Sequence, residues 1–177
     1  MNNQEKAKTI AKNIKLLILD VDGVLTDGGI YFDDNGTEHK KFDSQDGCGI
    51  KLLELSGIDV AIITARSTQS VAHRLNTLGV KNYYHGIKDK SIALKELSEK
   101  LSINLSESAF VGDDVIDLPA MSKVALPIAV ANAHSFVKEN ALMVTNNTGG
   151  SGAVREVCDF LLKSQNKYDA LMQSFLK

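Results

Sequence analysis

Three short runs of the chain are apolar at nearly every position: Lys15-Leu16-Leu17-Ile18-Leu19-Asp20-Val21, Val60-Ala61-Ile62-Ile63-Thr64 and Ala109-Phe110-Val111-Gly112-Asp113. Such runs fit strands buried on both faces, as in a parallel sheet. Weaker strands are predicted at Asn82–Tyr84, Val124–Leu126 and Leu142–Thr145. Helical periodicity fills the spaces between them. Ile50, Leu52, Leu53 and Leu55 form a stripe that stops at Gly57, and Ser67 to Leu78 is a second helix ended by Gly79. Ser91–Leu101, Asp117–Met121 and Ala153–Lys163 follow, and both ends of the chain read as helical extensions. Strand alternating with helix predicts an α/β fold: a doubly wound, Rossmann-like parallel sheet with helices on both faces.

One segment breaks the alternation. Gly29-Ile30-Tyr31-Phe32, the turn Asp33-Asp34-Asn35-Gly36 and Thr37-Glu38-His39-Lys40-Lys41-Phe42 read as a β-hairpin, since Asn-Gly is a strong turn signal. This flap, about 28–43, follows the first strand and so lies at the carboxyl edge of the sheet, where open α/β sheets bind ligands. Only 23 residues separate Asp22 from Asp46, and no insertion fits between Tyr84 and Lys90, so no separate cap domain is encoded.

With 177 residues, 44% of them hydrophobic and 24% charged, the composition is that of a globular chain, and residues 1–177 are expected to form a single domain. A net charge of −2 with scattered basic residues carries no electrostatic footprint for nucleic acid. The longest apolar run, Val124–Ala131, is eight residues and contains Pro127, so no membrane span is expected. Two cysteines, Cys48 and Cys158, are too few for a disulfide framework, and Met1–Lys6 has no apolar signal core; a cytoplasmic protein is expected. No two of the four histidines have metal-ligand spacing. His39 and Lys41, on the hairpin, are the ones of this group singled out for substrate contact.

The polar residues at strand ends carry the chemistry. The first strand delivers Asp20 and Asp22, the second Thr64, and the Phe110 strand Asp113 and Asp114. Parallel strands would bring these acids to one crevice. Two carboxylates about 4 Å apart repel by about 4 kcal/mol at an effective dielectric of about 20. A hard divalent cation offsets that, and magnesium suits a site shared with phosphate. Taken singly, each acid is equally well read as a cap of a helix or turn.

Asp20-Val21-Asp22-Gly23-Val24-Leu25-Thr26 resembles the first motif of the haloacid dehalogenase superfamily of phosphatases. Thr64 resembles its second, Lys90 its third, and Gly112-Asp113-Asp114 with Asp117 its fourth. Asp22 to Gly28, the hairpin, Phe42-Asp43, Asp46-Gly47 and Gly149-Gly150-Ser151-Gly152-Ala153-Val154-Arg155-Glu156 resemble one branch, the 3-deoxy-D-manno-octulosonate 8-phosphate (KDO 8-P) phosphatases and the related nonulosonate phosphatases.

The resemblance implies a Mg²⁺-dependent phosphomonoesterase that hydrolyses a sugar-acid phosphate in lipopolysaccharide precursor synthesis. Asp20 would be the nucleophile, forming an aspartyl-phosphate, and Asp22 the general acid and then base. Asp20, the backbone carbonyl of Asp22 and Asp113 would hold the metal. Thr64 and Lys90 would bind the phosphoryl oxygens, and Arg66 and Arg74 the sugar-acid carboxylate; both arginines are read as sharing a broad face of the second helix. The branch also implies a homotetramer in which the hairpin of one subunit covers the next. Two positions depart from its pattern: Ala65 stands where glycine is usual, and Asp89 where asparagine is common, with a tuning effect on Lys90 expected. The glycines at 149, 150 and 152 are read as an anion-binding helix N-terminus or as a flexible connector. A nine-carbon sugar-acid phosphate remains open as the substrate, and a receiver-like signalling module is the alternative of another class.

Overall fold

The three apolar runs form the centre of one sheet: β1 (Leu16–Leu19) lies between β4 (Asp59–Ile63) and β6 (Ser108–Gly112). In the computed structural model, which describes residues 2–176, the other strands are β2 (Tyr31–Phe32), β3 (Glu38–His39), β5 (Asn82–Tyr84), β7 (Leu126–Ala129) and β8 (Met143–Val144). The helices are α1 (Asn3–Ala11), α2 (Ser44–Leu55), α3 (Gln69–Leu78), α4 (Lys90–Leu101), α5 (Leu118–Met121), α6 (Ser135–Asn140), α7 (Ala153–Ser164) and α8 (Tyr168–Ser174). The main sheet has the order β5-β4-β1-β6-β7-β8 and every pairing in it is parallel. Leu16 to Leu19 are fully buried, as are Ala61 to Ile63 and Ala109 to Val111, which is why these runs lack polar positions. Helices pack around the sheet, α2 against α7 and α4 against α5.

Chain order runs outward from β1 in both directions, through β4 and β5 on one side and through β6, β7 and β8 on the other. The reversal makes a crevice at the carboxyl ends of β1 and β6. Leu19 pairs with Val111 on one side and with Ile62 on the other, so the residues just beyond these three strands, Asp20, Asp113 and Thr64, emerge side by side.

Two expectations shift. The strand read at Val124–Leu126 lies at Leu126–Ala129 and contains Pro127. Pro127 offers its carbonyl to Leu142 N on the β8 side, so its missing N–H faces that side too, ahead of the β7–β8 ladder, which begins at Ile128. The second helix starts at Gln69 rather than Ser67, because Thr68 is still extended (φ −132°, ψ 145°). Short α6 went unread: it buries only Val137, and its start is capped by the imidazole of His134, which accepts from Phe136 N at 3.2 Å.

The hairpin forms as expected. Tyr31 pairs with His39 and Phe32 with Glu38, and the Asp33 carboxylate accepts from Asn35 N and Thr37 N across the turn. A bridge between Thr26 and Phe42 closes its base.

Candidate active site

Asp20 leaves β1 with its N–H on Val111 O at 3.1 Å and is 4% exposed. A single wide turn follows, closed by Thr26 N–H onto Val21 O at 3.0 Å. The turn requires Gly23 at φ +87°, and a Cβ there would strike the Asp113 carboxylate. That close approach puts the loop after β1 against the loop after β6. Gly149 and Gly150 press on the same loop from the other side: a Cβ on either would collide with backbone between Gly23 and Asp27, and Gly150 N–H donates to Val24 O at 3.0 Å. Gly149 and Gly150 are therefore a backbone packing seam, while the N-terminus of α7 after Gly152 holds the carboxylate of Asp46, which accepts from Arg155 N at 2.7 Å.

Lys90, the first residue of α4, is 1% exposed and bridges Asp20 Oδ1 and Asp117 Oδ1, each at 2.6 Å. Asp117 is fully buried, and its Oδ2 accepts from Asp113 N at 3.0 Å and Asp114 N at 3.3 Å. Asp114 caps its own turn through Val115 N. Asp89 accepts from Ser91 N at 3.0 Å and so caps α4.

Oxygens of Asp20, Asp113 and Asp117 lie within 4.8 Å of one another. Burial first, then the neighbouring carboxylates, push Asp20 up to about 7 and Asp113 up to about 8, with Lys90 opposing both. Burial acts to lower Lys90, but Asp20 and Asp117 outweigh it, and its pKa is raised. Both Asp117 oxygens are already engaged, so the carboxylates left for a cation are those of Asp20 and Asp113. The donor set is all oxygen and short of positive charge, which fits a hard divalent ion such as Mg²⁺.

A cavity of about 230 Å³ opens over this cluster, lined by Asp20, Asp22, Thr64, Ala65, Arg66 and Asp113 among others. A larger cavity of about 860 Å³, beside α7 and β8, has none of the strand-end acids in its wall. Thr64 is 2% exposed, and its hydroxyl accepts from Arg66 N at 3.3 Å. Ala65 is not among the residues with positive φ, so its methyl is accommodated without backbone strain. Arg66 reaches Glu38 on the hairpin at 2.8 Å. Arg74 does not line the cavity. It donates to Asp43 O at 3.2 Å and lies 6.0 Å from the centre of the Phe42 ring. The shared helical face read for the two arginines is absent, because Arg66 precedes α3. Asp22 lines the cavity with its carboxyl ion-paired to Lys40, whose side chain is sealed from solvent.

A profile of the haloacid dehalogenase-like hydrolases matches residues 84–157. The 3-deoxy-D-manno-octulosonate 8-phosphate phosphatase of Salmonella typhi is 53% identical over 161 residues, 91% of this chain and 86% of that protein. The crystal structure of the phosphatase of that name from Yersinia pestis superposes with a TM-score of 0.92 at 47% identity, covering 93% of this chain and 89% of that one. The chain belongs to the 3-deoxy-D-manno-octulosonate 8-phosphate phosphatase family of haloacid dehalogenase-like hydrolases. A further relative, from Moraxella catarrhalis, was crystallised with a magnesium ion, a phosphate ion and a KDO molecule; it matches with a TM-score of 0.94 at 44% identity, over 97% of this chain and 98% of its own. Membership of the family sets aside the receiver-module alternative.

In this haloacid dehalogenase-like hydrolase, sequence reasoning left three site residues without a role. Asp117 stands inside the fourth motif, and its burial against Lys90 makes it the anchor of that lysine. Lys40 and Glu38 lie on the inner face of the hairpin, whereas the side chains of His39 and Lys41 are 62% and 60% exposed. Lys41 lies 3.9 Å from the Asp27 carboxylate.

Proposed function

We propose that this protein is a Mg²⁺-dependent phosphomonoesterase that hydrolyses 3-deoxy-D-manno-octulosonate 8-phosphate to the free sugar acid and phosphate, within one domain spanning residues 1–177. The observation that carries the reading is Asp20 at the cavity floor, held by Lys90 at 2.6 Å and packed against Asp113, in a chain 53% identical to phosphatases of that name. A carboxylate oxygen of Asp20 attacks phosphorus while the ester P–O bond breaks. Asp22 gives its proton to the departing alkoxide, leaving an aspartyl-phosphate on Asp20. Asp22 then takes a proton from water, whose oxygen attacks phosphorus, and the bond to Asp20 breaks with release of phosphate. Thr64 and Lys90 hold phosphoryl oxygens, and Lys90 balances charge that develops on them. Bound at Asp20, Asp113 and the Asp22 carbonyl, Mg²⁺ supplies Lewis-acid charge neutralisation for the phosphoryl group.

Arg66 at the cavity wall fits the substrate carboxylate. Arg74, turned onto Phe42 and Asp43, fits a part in seating the base of the hairpin beside it. Ile30, Tyr31 and Phe32 are 57%, 46% and 62% exposed on that hairpin, an apolar surface that supports a homotetramer in which it covers a neighbour's site. No helix among the described residues is long and apolar enough to cross a membrane. A cytoplasmic location fits the exposed free thiol of Cys48.

The test is phosphate release across KDO 8-P, a nine-carbon sugar-acid 9-phosphate, hexose phosphates and nucleotides, with and without Mg²⁺. KDO 8-P should give the highest kcat/KM, and Asp20→Asn should abolish turnover while the circular dichroism spectrum is unchanged. A clear preference for the nine-carbon acid replaces the substrate, and retained turnover in Asp20→Asn removes the covalent route.

A further inference from the structure

The next step rests on the phosphatase reading above and concerns how Asp22 is held. Lys40 lies on the exposed hairpin, yet none of its side chain reaches solvent. Its ammonium contacts Asp22 Oδ1 and sits 2.9 Å from Glu38 Oε1. Glu38, 14% exposed, holds Arg66 Nη2 at 2.8 Å through its other oxygen. Lys40, Glu38 and Arg66 thus form a chain of alternating charge that runs from the carboxyl that handles the proton to the wall of the cavity.

Surface ion pairs rarely matter much, but this one is shielded, and a shielded ammonium persists only where acids surround it. The hairpin strand explains how it gets there. Successive side chains on a strand point to opposite sides, so Glu38, Lys40 and Phe42 turn inward while His39 and Lys41 face water. With Oδ1 occupied by Lys40, no donor among the described residues engages Oδ2 of Asp22.

We propose that Lys40 is a positioning residue that fixes the rotation of the Asp22 carboxyl and presents Oδ2 to the ester oxygen of the substrate, with Glu38, braced by Arg66, fixing Lys40. A sugar alkoxide is strongly basic and cannot leave without a well-aimed proton, so orientation of the acid governs its departure. A nitrophenolate leaves without that help. The signature is therefore a dependence on the leaving group, which loss of fold or of phosphate binding would not produce.

The experiment measures kcat and KM of the full chain with Mg²⁺ on KDO 8-P and on p-nitrophenyl phosphate. Lys40→Met should lower kcat on the sugar phosphate by about tenfold to a hundredfold, a part of the general-acid contribution of about 10²–10⁴. The ratio of the two kcat values should move by about tenfold or more, with a much smaller change in KM. Lys40→Arg should recover part of the loss, and Glu38→Gln should shift the ratio in the same direction by less. Added to Asp22→Asn, Lys40→Met should have no further effect, because both changes remove one function. Equal losses on the two esters, no loss at all, or full additivity with Asp22→Asn would overturn the proposal. Should Lys40→Met not fold, Lys40→Arg and Glu38→Gln decide by the same ratio. Should the aryl ester be too slow to read, the cycle with Asp22→Asn decides. A wild-type chain that hydrolyses neither ester removes the underlying phosphatase reading instead.

Discussion

Magnesium should stabilise this protein, and by more at high pH than at low. Asp20, Asp113 and Asp117 bring three negative charges and Lys90 one positive, which leaves −2 in a cluster that spans at most 4.8 Å between acid oxygens. At that separation each like pair costs about 3.5 kcal/mol at an effective dielectric of about 20. Burial and this repulsion raise Asp20 to about 7 and Asp113 to about 8, from 3.8. Below 3.8 both groups are protonated whether the chain is folded or not, and there is no penalty. As pH rises, the unfolded chain releases these protons first, so the metal-free fold loses stability until pH passes the folded values of about 7 and 8. A dication cancels the −2. At a hundredfold excess over its Kd it adds about 2.7 kcal/mol, which for a chain of this length raises Tm by about 5–11 °C. Scanning fluorimetry with EDTA or with Mg²⁺ should show the larger shift at the alkaline end. Asp113→Asn removes one charge without changing volume, so the metal-free variant should melt above the wild type at alkaline pH and lose the magnesium response. A shift of equal size on both sides of neutrality, or an Asp113→Asn variant that keeps the full response, would refute the charge argument.

Two other perturbations read different parts of the same structure. Lys90→Met strands the buried carboxylates of Asp20 and Asp117 and should cost about 3–5 kcal/mol; urea denaturation should show the midpoint falling with an unchanged slope, and a loss under about 1 kcal/mol would mean the cluster protonates instead. The proposed homotetramer is tested by replacing Ile30 and Phe32 with Ser, which removes apolar surface exposed on the hairpin: sedimentation velocity should show a tetramer for the unsubstituted chain and smaller species for the variant, and a monomer in both refutes the assembly.

Much of the fold could be read from hydrophobic pattern because parallel strands buried on both faces leave no polar residue in the run. Ile18, Ala61 and Phe110 share one row of the sheet, and each sits within an uninterrupted apolar stretch. The polar residue that ends each stretch marks the sheet edge, which is why Asp20, Thr64 and Asp113 could be gathered into one crevice before any coordinates. Elements held by few buried side chains left a weaker trace. Helix α6 buries one valine, and β7 was misplaced because Pro127 reads as a strand breaker although it lies ahead of the β7–β8 ladder, where no donor is needed.

The acids of the site were legible and their cations were not, for a reason that lies in the side chains. An aspartate is short, so its position on the backbone fixes its position in space. A lysine or arginine reaches across several residues of neighbouring chain, and where its charge lands depends on the loop that carries it. The helical-wheel reading of Arg66 and Arg74 failed at that point: it assumed helix at Arg66, where the chain is still a loop, and Arg66 reaches the hairpin while Arg74 turns to Phe42. On the hairpin a usable signal did exist. Phe42 is apolar and bridges Thr26 at the base, so its face is the inner one, and steps of two back along the strand arrive at Lys40 and Glu38. His39 and Lys41 lie on the outer face. Alternation, counted from the one apolar anchor, arrives at the lysine that contacts Asp22.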